Sequence, residues 1–188
     1  MANCNIRGIQ SANNRNTKLN ILKTVNLDIL CLQETRLTSY KNICDAQTVW
    51  GEHLSFFSIG EDKAGGVAIL FYTKNVSVLK IREIIPGRLM YVDIYLMGKK
   101  IRIINVYAFP NYNKRVSLLN KLKTILYVGF PKIICGDFNT ITDLKDSNSD
   151  KLSKIGYDGC LLKQIMCENE LNDIFRVLFP DKKRVFQI

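Results

Sequence analysis

The chain has 188 residues, 47% hydrophobic and 23% charged, which suits a globular domain with a buried core and excludes a low-complexity or disordered polymer. Its net charge of +10 disfavours cationic partners and fits a polyanion held by salt-dependent attraction, although a merely solvated basic surface has the same composition. No apolar run approaches the roughly 18 residues of a membrane helix, and Met1 to Arg7 lack the basic-then-apolar order of a signal peptide. The expectation is a cytoplasmic or nuclear protein with no membrane partner.

In chain order, Asn5 closes the opening Met-Ala-Asn-Cys segment. Leu19, Leu22 and Val25 then share a helical face, with Asn14 or Asn16 as candidate caps. Asp28 to Leu32 reads as a strand, as do Val67 to Tyr72, Val76 to Ile81, Leu89 to Leu96 and Ile101 to Val106. Val116, Leu119, Leu122 and Leu126 form a second helical stripe, followed by a strand over Lys132 to Cys135. Thr142 to Asp150 is rich in Asp, Ser and Asn and reads as an exposed loop. Leu161, Leu162, Ile165 and Met166 form a third stripe, and Val185 to Ile188 looks like the start of another strand. No helix separates the strands from Val67 to Val106, so that region is expected to be antiparallel. The strands near both ends alternate with helices, as in crossover units. The prediction is an α/β (α+β) protein whose sheets lie between helices. Without repeats or a Pro/Gly-rich linker, one domain over 1–188 is the simplest organisation.

Polar residues follow several strands directly: Asn5, Glu34 after Leu-Asp-Ile-Leu-Cys-Leu-Gln, Asn105 and Tyr107, then Asp137 and Asn139 after Ile-Ile-Cys-Gly. Each alone could be only a turn residue. If the strand ends converge, two carboxylates, amides and a phenol meet where crossover sheets collect ligands. Such a set suits Mg²⁺, a hard cation that needs one or two carboxylates and keeps several waters. Mn²⁺ is the natural substitute. Amide and phenol donors can hold phosphate oxygens as charge develops. Six cysteines without a close C-x-x-C pair, and His53 as the single histidine, argue against a zinc centre and read as reduced thiols and a surface imidazole.

Four segments occur in a telling order: Asn5-Ile6-Arg7-Gly8, Leu32-Gln33-Glu34-Thr35, Asn105-Val106-Tyr107-Ala108 and Gly136-Asp137-Phe138-Asn139. Together they resemble the endonuclease/exonuclease/phosphatase superfamily, which includes DNase I and the apurinic/apyrimidinic endonucleases. Ala64-Gly65-Gly66-Val67-Ala68-Ile69-Leu70 and Leu171-Asn172-Asp173-Ile174-Phe175-Arg176 are similar to endonuclease domains of non-LTR retrotransposons, where the domain heads a polyprotein that includes a reverse transcriptase and nicks target DNA. The resemblance implies a four-layer, DNase I-like sandwich of two mixed sheets flanked by helices, and a DNA substrate. It implies that Glu34 binds Mg²⁺ with help from Asn5, and that Tyr107, Asn105 and Asn139 contact the substrate. Asp137 would orient or activate the attacking water, and Asn139 would stabilise the pentacovalent phosphorus. Phosphatase or lipid phosphodiesterase activity stays open, because the superfamily uses one site for several phosphoesters.

Some residues depart from that pattern. Arg7 stands where a small polar residue is common, Phe109 interrupts the Tyr-Ala-Pro loop, and Ser147 replaces the arginine that retroelement relatives often place after the equivalent of Asp146. Beyond Ile188 the resemblance implies a further Asp and a closing Ser-Asp-His. The expectation is therefore a C-terminally incomplete domain of weak or no activity, with a non-enzymatic nucleic-acid-binding remnant as the alternative.

Overall fold

Runs such as Val-Ala-Ile-Leu-Phe leave no polar face for water, and they form strands covered on both sides. The computed structural model describes residues 1–61, 64–147 and 154–182. The strands are β1 (Ala2–Asn5), β2 (Ile29–Gln33), β3 (Ser55–Ser58), β4 (Val67–Phe71), β5 (Val76–Ile85), β6 (Leu89–Leu96), β7 (Lys99–Tyr107) and β8 (Lys132–Asp137). The helices are α1 (Ala12–Thr24), α2 (Tyr40–Trp50), α3 (Tyr112–Ile125), α4 (Tyr157–Glu168) and α5 (Ile174–Leu178).

The chain divides into two compact units. The first comprises Met1–Ala108 and Val128–Asp137; the second comprises Phe109–Tyr127 and the residues from Phe138 onward. The first holds two mixed four-stranded sheets, in the orders β1-β2-β4-β3 and β5-β6-β7-β8. β1 and β2 pair in parallel, as do β7 and β8, while all other pairings are antiparallel. The fold class is thus the α/β arrangement with two mixed sheets that the sequence predicts. β4 differs from expectation: it pairs with β2 and β3 rather than continuing into β5. Its buried Val67–Phe71 run belongs between layers, and the turn after it carries the chain to the other sheet.

Alternation decides which side chains meet. Cys31, Ile69 and Phe71 of the first sheet pack with Met90, Val92, Ile94 and Ile103 of the second, forming the core between the sheets. Leu30, Leu32, Ala68 and Leu70 point the other way and pack with Leu19 of α1 and Ala46 and Trp50 of α2. Trp50 is 1% exposed and donates its indole N–H to the Phe71 carbonyl at 3.0 Å. Arg15 is also buried, and its guanidinium reaches Asp45 at 2.9 Å, tying α1 to α2.

In the second unit, α3 presents Leu118, Leu119 and Leu122, and α4 presents Leu161, Leu162 and Ile165. Arg115 of α3 joins Asp158 of α4 at 2.7 Å. Ser11, rather than Asn14 or Asn16, caps α1, its hydroxyl accepting from the Asn14 N–H. Val25 sits outside the helix and is exposed. The Thr142 to Asp150 loop contains a short 3₁₀ turn, Leu144–Asp146, with Asp146 buried; residues 148–150 and the expected strand start at 185–188 lie outside the described residues. Among the described residues, no helix is long and apolar enough to cross a membrane.

Candidate active site

The ends of β1, β2 and β7 bring three of the expected side chains into one hydrogen-bonded cluster. Asn5 Nδ2 donates to Glu34 Oε1 at 2.8 Å, and the Tyr107 hydroxyl donates to the same oxygen at 2.9 Å. Arg36 Nη2 reaches Glu34 Oε2 at 2.7 Å. Asp137 is the register partner of Tyr107 at the end of β8, and its carbonyl accepts from the Ala108 N–H at 2.8 Å. Glu34 and Asp137 therefore both border Tyr107. Asn139 follows two positions later in the second unit, with φ of 48°.

Glu34 itself has φ of 53°, a left-handed conformation that costs a non-glycine residue on the order of 1 kcal/mol. The surrounding backbone imposes it. Gly8 N donates to the Glu34 carbonyl at 2.7 Å, and Thr35 N and Arg36 N donate to the carbonyls of Gly66 and Gly65 at 3.1 and 2.9 Å. A Cβ on Gly66 would lie 2.2 Å from Thr35 Oγ1, so only glycine admits this approach. The Gly65-Gly66 pair noted in the sequence thus acts by gripping the residues just past Glu34. On the other side, Lys18 Nζ donates to the carbonyls of Ile6, Arg7 and Gly8 at 2.7, 3.2 and 3.0 Å, fixing the turn that follows Asn5.

The electrostatics separate the two acidic groups of the cluster. Burial opposes ionisation of Glu34, but hydrogen bonds from Asn5, Arg36 and Tyr107 outweigh it, so its carboxyl lies below the usual value. Tyr107 is pushed up to about 12, first by burial and then by its bond to the Glu34 charge, with Arg88 working against the shift. The Arg88 guanidinium lies 4.4 Å from the centre of the Tyr107 ring. At neutral pH the pair is a carboxylate accepting from a neutral phenol.

Asn105 departs from the expectation that it contacts the substrate. It is 0% exposed; its Nδ2 donates to the carbonyls of Leu32 and Ala68 at 2.9 and 2.8 Å, and its Oδ1 accepts from Gln33 Nε2 at 2.6 Å. Gln33 Nε2 also reaches Asn3 Oδ1 at 2.7 Å. Asn105 of one sheet thus grips the facing sheet directly beneath the cluster. Gln33 and Asn3 were not singled out from the sequence; a glutamine inside an otherwise apolar strand, next to Glu34, was the available signal. Asn5 also differs in detail, because its Oδ1 accepts from the Arg7 N–H at 3.1 Å while its N–H groups face Glu34. His53 packs on Tyr72, ring centres 4.4 Å apart, near Trp50. In the second unit Asp146 pairs with Arg176 at 2.6 Å, so a more distant arginine serves the aspartate that Ser147 cannot.

The donor set can be tested against a divalent cation. No cluster of three or more His, Cys, Asp or Glu occurs among the described residues. One ionised carboxylate, held by two donors on Oε1 and by the half-exposed Arg36 on Oε2, still fits Mg²⁺, which takes one or two protein carboxylates and fills its remaining positions with water and phosphate oxygens.

Comparison with known proteins bears on this arrangement. Residues 2–154 match the profile of the Endonuclease/Exonuclease/phosphatase family. The chain is 25% identical over 166 residues to the Transposon TX1 uncharacterized 149 kDa protein of Xenopus laevis, covering 87% of this chain but 12% of that protein. Among solved structures, an AP endonuclease from Archaeoglobus fulgidus superposes with TM-score 0.70 at 22% identity, over 96% of this chain and 74% of that one. The catalytic domain of Xenopus laevis APE2 gives TM-score 0.73 at 21% identity, over 96% and 72%. These two likenesses concern the fold.

Proposed function

Because this chain belongs to the endonuclease/exonuclease/phosphatase family, we propose that it hydrolyses phosphodiester bonds in DNA with the aid of Mg²⁺, or Mn²⁺ in its place, as part of a longer transposon-encoded protein. The observation that carries this reading is the convergence of Asn5 and Tyr107 on one oxygen of Glu34, with Asp137 in register beside Tyr107. The relative from transposon TX1 supports the retroelement setting, and the net charge of +10 supports a polyanionic substrate.

Glu34 is the metal ligand in this reading, and Asn5 orients it. A bound Mg²⁺ would neutralise charge on the scissile phosphate and on its leaving oxygen. Tyr107 keeps its proton on the bond to Glu34, so it positions the carboxylate and does not transfer a proton. Asp137 accepts the proton of the attacking water, and Asn139 donates its amide N–H to a phosphate oxygen. His53 is stacked on Tyr72, and Asp137 is the group of this chain that takes the general-base role.

Nicking of supercoiled plasmid in Mg²⁺ and in EDTA tests the proposal. We expect relaxation in Mg²⁺ only, and a loss of about 10² to 10⁴-fold in rate for Asp137→Ala, the usual worth of a general base. Nicking that survives both Asp137→Ala and Glu34→Gln would falsify it. The lean ligand set favours one second reading, a domain that binds DNA without cutting it; a mobility shift with no relaxation would identify that case.

A further inference from the structure

The outward face of the second sheet, opposite the core between the sheets, divides into two halves. Strand register places Leu89, Ile104 and Val106 on this face near the end that carries Tyr107, and all three are 0% exposed. Towards the other end the same face carries Ser77, Tyr95 and Lys100 in one cross-strand row, and Lys80, Asp93, Arg102 and Lys132 in the next. Arg82 follows, paired with Tyr91. Asp93 is the one acidic residue on this face among the described residues of β5 to β8, and it is neutralised: Arg102 grips it through Nε and Nη2 at 2.7 and 2.8 Å. Lys80, Arg82 and Lys100 are exposed and Lys132 half-buried, so four cations remain uncompensated by any carboxylate of the face.

Aromatic rings lie among these cations. Tyr95 is 48% exposed and is the register partner of Lys100. Lys100 Nζ lies 4.3 Å from the Phe130 ring centre, and the Arg102 guanidinium lies 3.8 Å from that of Tyr91. From Lys100 to Tyr107, β7 runs for about 23 Å at about 3.3 Å per residue. This surface is therefore separate from the cluster around Glu34.

We propose that the face formed by Lys80, Arg82, Tyr95, Lys100 and Lys132 is a second, non-catalytic binding surface for single-stranded nucleic acid. The cations take the phosphates, and the Tyr95 ring takes a base. A single strand fits better than a duplex because its bases are free to stack on an exposed ring, whereas paired bases are not. An acidic polypeptide would use the cations but gain little from Tyr95.

Fluorescence anisotropy of a labelled oligothymidylate of about 20 nucleotides, measured in EDTA across a salt series, tests this independently of hydrolysis. Replacing Lys80, Arg82 and Lys100 with Gln together should weaken binding at least about tenfold and flatten the log–log salt slope by about 2, since each lost single-strand phosphate contact removes about 0.7. Tyr95→Ala should weaken binding about tenfold at unchanged slope, and Tyr95→Phe should retain it. These side chains are exposed, so thermal unfolding should not move. Unaltered binding and slope in the triple variant overturn the proposal. So does full binding by Tyr95→Ala combined with equal displacement by polyglutamate, which assigns the surface to an acidic protein. A chain that never nicks plasmid but shows the Tyr95 effect leaves this surface standing while the hydrolase reading fails.

Discussion

Glu34 accepts three side-chain hydrogen bonds on two oxygens, and the balance at this residue sets its pH behaviour. Its pKa is lowered in the folded state from an ordinary value of 4.5, so its contribution to stability is complete above that value and disappears as the pH falls through the lower, folded value. Tyr107→Phe removes one donor to the charge. Hydrogen bonds to charged groups are worth about 1.5 to 3 kcal/mol when buried, and part of that is lost to solvent here, so we expect about 1 kcal/mol of destabilisation by urea unfolding at pH 7. The loss should shrink as the pH falls through the lowered, folded-state value of Glu34, where the carboxylate protonates. A variant as stable as wild type at neutral pH would show that the bond is idle. Tyr107 titrates in the opposite sense: raised to about 12, its stabilising effect is complete below the ordinary value near 10 and fades as the pH climbs through 12. Ultraviolet difference titration should find one tyrosine ionising late, and that transition should vanish in Tyr107→Phe.

At the scale of elements, the end of β8 is set by a contact that no side chain can share. A Cβ on Gly136 would fall 2.0 Å from the Val106 carbonyl oxygen. Gly136→Ala must push β8 away from β7 and carry Asp137 with it; we expect a loss of nicking comparable to that of Asp137→Ala while far-ultraviolet circular dichroism stays near wild type. The sequence marks this place, since Gly136-Asp137-Phe138-Asn139 stands after an apolar run, yet the reason for the glycine appears only when the two backbones are seen together. Strand positions were legible because β-branched runs declare themselves: Leu89–Leu96 was read with its observed ends. α2 was not, because Asn42, Cys44, Asp45 and Thr48 are poor helix formers and interrupt the face on which Ile43, Ala46, Val49 and Trp50 pack. The partners of β4 were illegible for another reason. A fully buried strand is compatible with either neighbour, and only tertiary packing chooses between them.

For the whole molecule, charge and topology act separately. The net charge of +10 predicts that DNA affinity falls steeply with salt, by about 0.9 in log–log slope per duplex phosphate engaged. Gel-shift titrations between 50 and 200 mM salt should lose at least about tenfold in affinity; a flat response would mean that the excess cations are spread too thinly to act. The family was legible from four short segments in order, because each supplies a side chain to the end of a strand. The amide network beneath them was less so. Gln33, Asn3 and Asn105 meet across two sheets, and nothing in their spacing announces a pairing of residues so far apart in the chain.

That network is made of neutral groups. Asn105 fastens one sheet to the carbonyls of Leu32 and Ala68 in the other through amides, which neither titrate nor attract counterions. Acid, alkali and brine can therefore alter the charges of the surface without moving the foundation on which Glu34 and Asp137 stand, and the spacing of those two residues should outlast the exposed ion pairs.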